Sequence, residues 1–110
     1  MTRVKFYQDQ DGQCTGFEVS GHSGYGDEGT DIICASISAL TVNAINSLEE
    51  LVEDPVRVEA DEEEAYLKLS IAGDHSAEAD ILLRSLQMGM SNMYSNETVK
   101  QYMDLIFEEV

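Results

Sequence analysis

Apolar and polar residues alternate from Thr2 to Gln8, with Val4 and Phe6 on one side and Lys5 and Tyr7 on the other, the two-residue period of a half-buried strand. Asp9-Gln10-Asp11-Gly12 is a turn, and Gln13 to Ser20 returns as a second strand with Phe17 and Val19 on one face. From Ile32 to about Glu53 the period changes. Ile33, Ile37, Leu40, Ala44, Leu48 and Leu51 recur at three- and four-residue spacing, the stripe of a helix lying on a sheet, with Cys34, Ser38, Thr41 and Ile45 as a neighbouring stripe. Asp54-Pro55 stops that helix, because proline disfavours helical geometry in the residue before it. Val56 to Ile71 alternates again around Asp61-Glu62-Glu63-Glu64, giving a second hairpin with a solvated acidic turn. After Gly73-Asp74 a second helical stripe runs through Ala79, Leu82, Leu83, Leu86, Met90 and Met93. Met103 to Val110 fits an edge strand, with Leu105 and Phe107 inward, or a short last helix; the strand is preferred.

The order ββαββα describes an α+β two-layer sandwich, with two amphipathic helices packed on one face of a largely antiparallel sheet. At 110 residues, 1–110 is expected to be a single domain. A small sheet leaves edges, and one apolar face, open to a second copy, so a homodimer is expected. No run approaches about eighteen uninterrupted apolar residues and Met1 to Lys5 opens a strand, so the expectation is a cytoplasmic protein without a membrane partner.

The chemistry concentrates between the first hairpin and the first helix, in Gly21-His22-Ser23-Gly24-Tyr25-Gly26-Asp27-Glu28-Gly29-Thr30-Asp31-Ile32-Ile33-Cys34. Asp31 is an N-cap candidate, and it places Cys34 at the third helical position. Free amides and the positive end of the helix dipole favour a thiolate there. His22 can be folded back by a loop with glycines at 24, 26 and 29, and a thiol with an imidazole is the minimum set for covalent acyl transfer. On spacing alone a small buried thiol and a hydrogen-bonded loop histidine explain the pair as well. Ser38, one turn beyond Cys34, either hydrogen-bonds in the site or fills space. Cys14 reads as a structural strand thiol and His75 as a helix-end residue.

Gly21-His22-Ser23-Gly24-Tyr25, Gly29, Asp31-Ile32-Ile33-Cys34-Ala35 and Ser38-Ala39-Leu40 resemble the signature of the bacterial ribosomal-processing cysteine proteases, the Prp family. The likeness continues through the strand pair near 56–71, Leu82 to Leu86, Gly89-Met90 and the acidic C-terminal end. The resemblance implies a cysteine endopeptidase that trims a short N-terminal extension from large-subunit ribosomal protein twenty-seven, with His22 and Cys34 as the catalytic pair. It further implies supporting roles for Asp31 and Ser38, a hydrophobic groove beside Cys34, and a dimer; separately, the loop of Gly21, Gly24, Gly26 and Gly29 is expected to gate substrate by closing over a bound peptide and bringing His22 into reach. Ser23, Gly26 and Ser36 stand where relatives carry alanine or other small residues.

Charge narrows the partners. Twenty-two acidic residues against six basic ones give a net charge of −16, which repels phosphate backbones and anionic membranes and attracts a basic protein. A basic ribosomal protein meets that condition, as it would for a noncatalytic acidic ribosome-assembly or protein-binding module. No metal or other cofactor is expected, because Cys34, His22 and Asp31 lack the paired spacing of a structural zinc site. A phosphate-cradling reading of the glycines fails on Asp27, Glu28 and Asp31, which would face the anion.

Overall fold

The computed structural model describes residues 1–27 and 29–110, so Glu28, one of the acids counted against an anion site, lies outside the described residues. The elements are β1 (Thr2–Gln8), β2 (Cys14–Ser20), α1 (Ile32–Glu50), β3 (Val56–Asp61), β4 (Tyr66–Ile71), α2 (Ala77–Tyr94), a short 3-10 turn (Val99–Gln101) and β5 (Met103–Glu109). The sheet order is β3-β4-β2-β1-β5. β1–β2, β2–β4 and β3–β4 are antiparallel, while β5 runs parallel to β1 along the sheet edge.

The register puts Phe6 opposite Phe17 and Phe17 opposite Leu69, so alternation in three strands builds one apolar layer. Against it lie both helices, with Ile33, Ile37, Ala44, Ile45 and Leu48 of α1 and Ala79, Leu83, Leu86 and Met90 of α2 buried in the same core. α1 has nineteen residues and a mean hydropathy of 1.3, enough by length and composition to cross a bilayer; its buried stripe is instead spent on this core. The expected two-layer α+β architecture is what the chain adopts, and the C-terminal segment is the edge strand rather than a helix.

Three details differ from the sequence reading. α1 ends at Glu50, so Leu51 caps it and is 75% exposed instead of extending the stripe. Asp54 does not end α1; its carboxylate accepts the Ser76 N–H at 2.8 Å and the Ser76 hydroxyl, while Ser76 Oγ caps α2 by accepting from Ala79 N–H. These bonds, the Ser76 hydroxyl first, hold the Asp54 carboxyl below its usual range. Phe107, expected inward, stacks on buried Phe6 at 5.5 Å but sits on the edge strand and stays 48% exposed.

The open face of the sheet is polar where an apolar one was expected. Lys5, Glu18 and Lys68 are register neighbours across β1, β2 and β4. Tyr7 donates to Glu18 at 2.6 Å under the Lys68 ammonium, and burial, reinforced by that bond to the carboxylate, pushes the Tyr7 phenol up. Arg3, Lys5 and Arg57 each pair with a carboxylate on this face. Exposed pairs of this kind add little stability, but they leave the face charged rather than sticky.

Candidate active site

Where β2 ends, the Gly21 N–H donates to the Ala65 carbonyl at 3.0 Å, fastening the loop's start to the β3–β4 turn. Gly21 has a φ of +83°, and a Cβ there would lie 2.8 Å from the Met1 carbonyl, so backbone conformation and space both demand glycine. Beyond it the chain wraps around one carboxylate. Asp31 is the N-cap of α1, extended at φ −77° and ψ 107°, and its Oδ1 accepts the Ile33 and Cys34 N–H groups, both at 3.0 Å. Its Oδ2 accepts the Ser23 hydroxyl and the Gly26 N–H at 3.1 Å, and Ser23 Oγ in turn accepts from Tyr25 N–H at 3.2 Å. The Ser23 hydroxyl most, then the Cys34 amide, hold the Asp31 carboxyl well below the usual carboxylate range, against its own burial. The glycine-rich connection is therefore a folded loop hung on Asp31, with the Tyr25 ring set edge-on against Tyr102 at 5.2 Å.

Asp31 sets Cys34 at the third helical position, as its capping role requires, but it also takes the amides that were expected to support the sulfur. Ile33 and Cys34 N–H bond its side chain and Ala35 N–H bonds its carbonyl. The direct main-chain donor to Cys34 Sγ comes instead from the loop: the Ser23 N–H, at 3.2 Å. A donor on sulfur favours its ionised form. Thr2, 2% exposed at the start of β1, brings its Oγ1 to 3.9 Å from the same sulfur.

All eight expected site residues line one groove of about 630 Å³: His22, Cys34, Asp31, Ser38 and the glycines at 21, 24, 26 and 29. Val19, Ile37, Val42, Ala60 and Leu67 give it apolar walls, the hydrophobic groove beside Cys34 that the family resemblance implied. Cys34 is half-buried and His22 and Ser38 are exposed. Both line the groove, and among the described residues no hydrogen bond joins the His22 ring to Cys34 Sγ. Asp61 and Glu62 also line the groove, so the acidic turn, exposed as expected of a solvated turn, borders the site where a basic partner could meet it. Among the described residues no three His, Cys, Asp or Glu side chains converge as a metal site requires.

Thr2, Asp61 and Glu62 were not found from the sequence as neighbours of the cysteine. For Thr2 a signal existed, since a hairpin turning at 9–12 brings the start of β1 beside the end of β2, where Arg3 pairs with Ser20. The second cysteine and the second histidine stand apart. Cys14 is buried, donates to the Gly16 carbonyl at 3.4 Å, and has its thiol pushed up by burial. His75 bonds the Ala72 carbonyl and Asp80 at the α2 entrance. Both cysteines are free.

A two-layer sandwich presenting a half-buried cysteine from a helix start, under a glycine-rich loop and in a groove that a histidine also lines, has the groups that a thiol hydrolase needs. The family model for Cysteine protease Prp matches residues 1–104, and the chain belongs to this family of cysteine proteases. The ribosomal processing cysteine protease Prp of Staphylococcus aureus is 22% identical over 102 residues, 91% of this chain and 96% of that protein. The fold matches the crystal structure of the S. aureus protease with a covalently linked product peptide at a TM-score of 0.90 and 20% identity, covering 98% of this chain and all of that one. A Streptococcus mutans protein matches at a TM-score of 0.84 and 25% identity, covering all of this chain and 96% of that one.

Proposed function

We propose that this protease cleaves a short N-terminal extension from a basic large-subunit ribosomal protein, in the cytoplasm, with Cys34 as nucleophile and His22 as its proton partner. The observation that carries the reading is the Ser23 N–H on Cys34 Sγ, at the first turn of α1, in a groove that His22 also lines. His22 takes the Cys34 thiol proton, the resulting thiolate attacks the scissile carbonyl carbon, and collapse of the tetrahedral intermediate breaks the C–N bond and expels the amine carrying the proton from His22. Water, deprotonated by His22, then attacks the thioester; collapse of the second tetrahedral intermediate breaks the C–S bond, the new carboxylic acid leaves and ionises in solvent, and the proton on His22 returns to the Cys34 thiolate. The oxyanion is met by amides outside the set bound to Asp31, since Ile33, Cys34 and Ala35 are committed. Closure of the 21–30 loop on a peptide brings His22 into reach.

Groove and charge support this choice of substrate. Apolar walls beside Cys34 accept large apolar residues before the cut, and a net charge of −16 draws a basic protein. The parent resemblance to an S. aureus protein described as a ribosomal processing protease supports the same choice. Two copies are proposed to act together as a homodimer, tested by light scattering. To test the function, purified protein and a Cys34→Ser control are incubated with the extended ribosomal protein and the products are weighed by mass spectrometry. The expected product is the shortened protein from the parent alone. A noncatalytic binding module predicts no product from either, with partner binding intact.

A further inference from the structure

Among the described residues Thr2 is the side chain that reaches the cysteine sulfur through a polar atom, the Ser23 contact coming from the main chain, and nothing in the proposed mechanism uses it. Its position is fixed from three sides. Its N–H donates to the Tyr102 carbonyl at 2.9 Å, it pairs with Met103 of β5, and as a β-branched residue it has few rotamers to choose from. Its Oγ1 lies 3.5 Å from the Gly21 carbonyl and 3.9 Å from Cys34 Sγ, and at 2% exposure water hardly competes for it. A hydroxyl carries one proton, and between these two acceptors it can serve only one at a time.

We propose that Thr2 is a positioning residue for the nucleophile, donating its proton to the Gly21 carbonyl while Cys34 is a thiol and turning it onto the sulfur when the thiolate forms. Rotation about the C–O bond moves the proton without moving a heavy atom. The need for such a donor follows from the surroundings. Among the described residues, the other ionisable groups lining the groove are His22 on the loop, Asp31 at the helix cap, and Asp61, Glu62 and Tyr66 on the β3–β4 hairpin. Three of these are carboxylates, in a chain of net charge −16 whose first helical amides are already taken by Asp31, so an anion on sulfur depends on neutral donors. The Ser23 amide is one; the Thr2 hydroxyl is the second.

This rests on Cys34 being the nucleophile, but its test does not need turnover. Iodoacetamide alkylation of the Cys34 peptide is followed by mass spectrometry from about pH 5 to about pH 9 in parent, Thr2→Val and Thr2→Ser. Valine keeps the shape and removes the hydroxyl, whereas serine keeps the hydroxyl. The expected result is a Thr2→Val profile displaced upward by about half to one pH unit, hence about three- to tenfold slower alkylation below its midpoint, with Thr2→Ser on the parent curve. A Thr2→Val profile lying on the parent's overturns the proposal, and so does an equal displacement in both variants, which marks a packing effect of the lost methyl or altered shape. Should thermal melts show Thr2→Val unfolded, Thr2→Ala removes the same hydroxyl without adding bulk. Cleavage that persists in Cys34→Ser would instead refute the nucleophile and leave the alkylation result standing.

Discussion

At the scale of the residue, Asp31 does the most organising. One carboxylate starts α1, orients Cys34 and pins the loop through Ser23 and Gly26. Its carboxyl is held below the usual range, so the folded state releases this proton more readily than the unfolded chain. The stabilisation is therefore fully present above the unfolded value, about pH 4, and fades as pH falls below it. Asp31→Asn should melt earlier than the parent at neutral pH and lose less of its melting temperature between about pH 5 and about pH 3. Parallel curves for the two proteins would contradict this. Sequence reasoning reached the capping role because an aspartate ahead of a helical stripe has few other uses. It overestimated the helix amides as support for sulfur, because a good cap consumes the donors that a thiolate would otherwise use.

At the scale of the element, two helix entrances serve different ends. The α1 entrance holds the proposed nucleophile, while Ser76 and Asp54 fasten α2 at the entrance built with His75. Ser76→Ala should cost about 1 kcal/mol in chemical denaturation and leave the rate of cleavage unchanged. A large loss of activity without loss of stability would tie this entrance to the site. Gly21 sits at the other extreme: Gly21→Ala forces a β-carbon onto the Met1 carbonyl at a positive φ, and should cost about 1–3 kcal/mol and lower cleavage together. The strands and both helices were legible because each buries one face and so keeps its period. The early end of α1 was not, since Leu51 continues the stripe by spacing and only its turned-out position reveals the cap. The parallel pairing of β5 was equally hidden: alternation marks a strand without stating its direction.

At the scale of the whole molecule, charge is distributed with a purpose that composition alone could not reveal. Four of the six basic residues, Arg3, Lys5, Arg57 and Lys68, stand on the open sheet face, while the groove side carries Asp31, Asp61 and Glu62. On the open face those cations are offset by Glu18, Glu59, Asp104 and Glu108, whereas a basic substrate in the groove would meet carboxylates. Cleavage of a basic protein substrate, read as kcat/KM, should fall several-fold between about 50 mM and about 500 mM salt, while a short neutral peptide with the same cut is little affected. Equal salt dependence for both would remove electrostatic attraction from the account. Bringing Asp61, Glu62 and Thr2 to the groove took the pairing of β1, β2, β4 and β3, and no local pattern announces contacts across four strands.

The central claim is that Cys34 forms the covalent bond with the substrate's acyl group and that His22 serves it. A peptide chloromethyl ketone with large apolar residues before the reactive carbon, reacted with the protein and located by peptide mapping, tests this most directly. The account predicts one adduct, on Cys34, formed much more slowly in His22→Ala and suppressed by competing substrate. An adduct on Cys14, or a Cys34 adduct whose rate ignores both His22 and substrate, would contradict it.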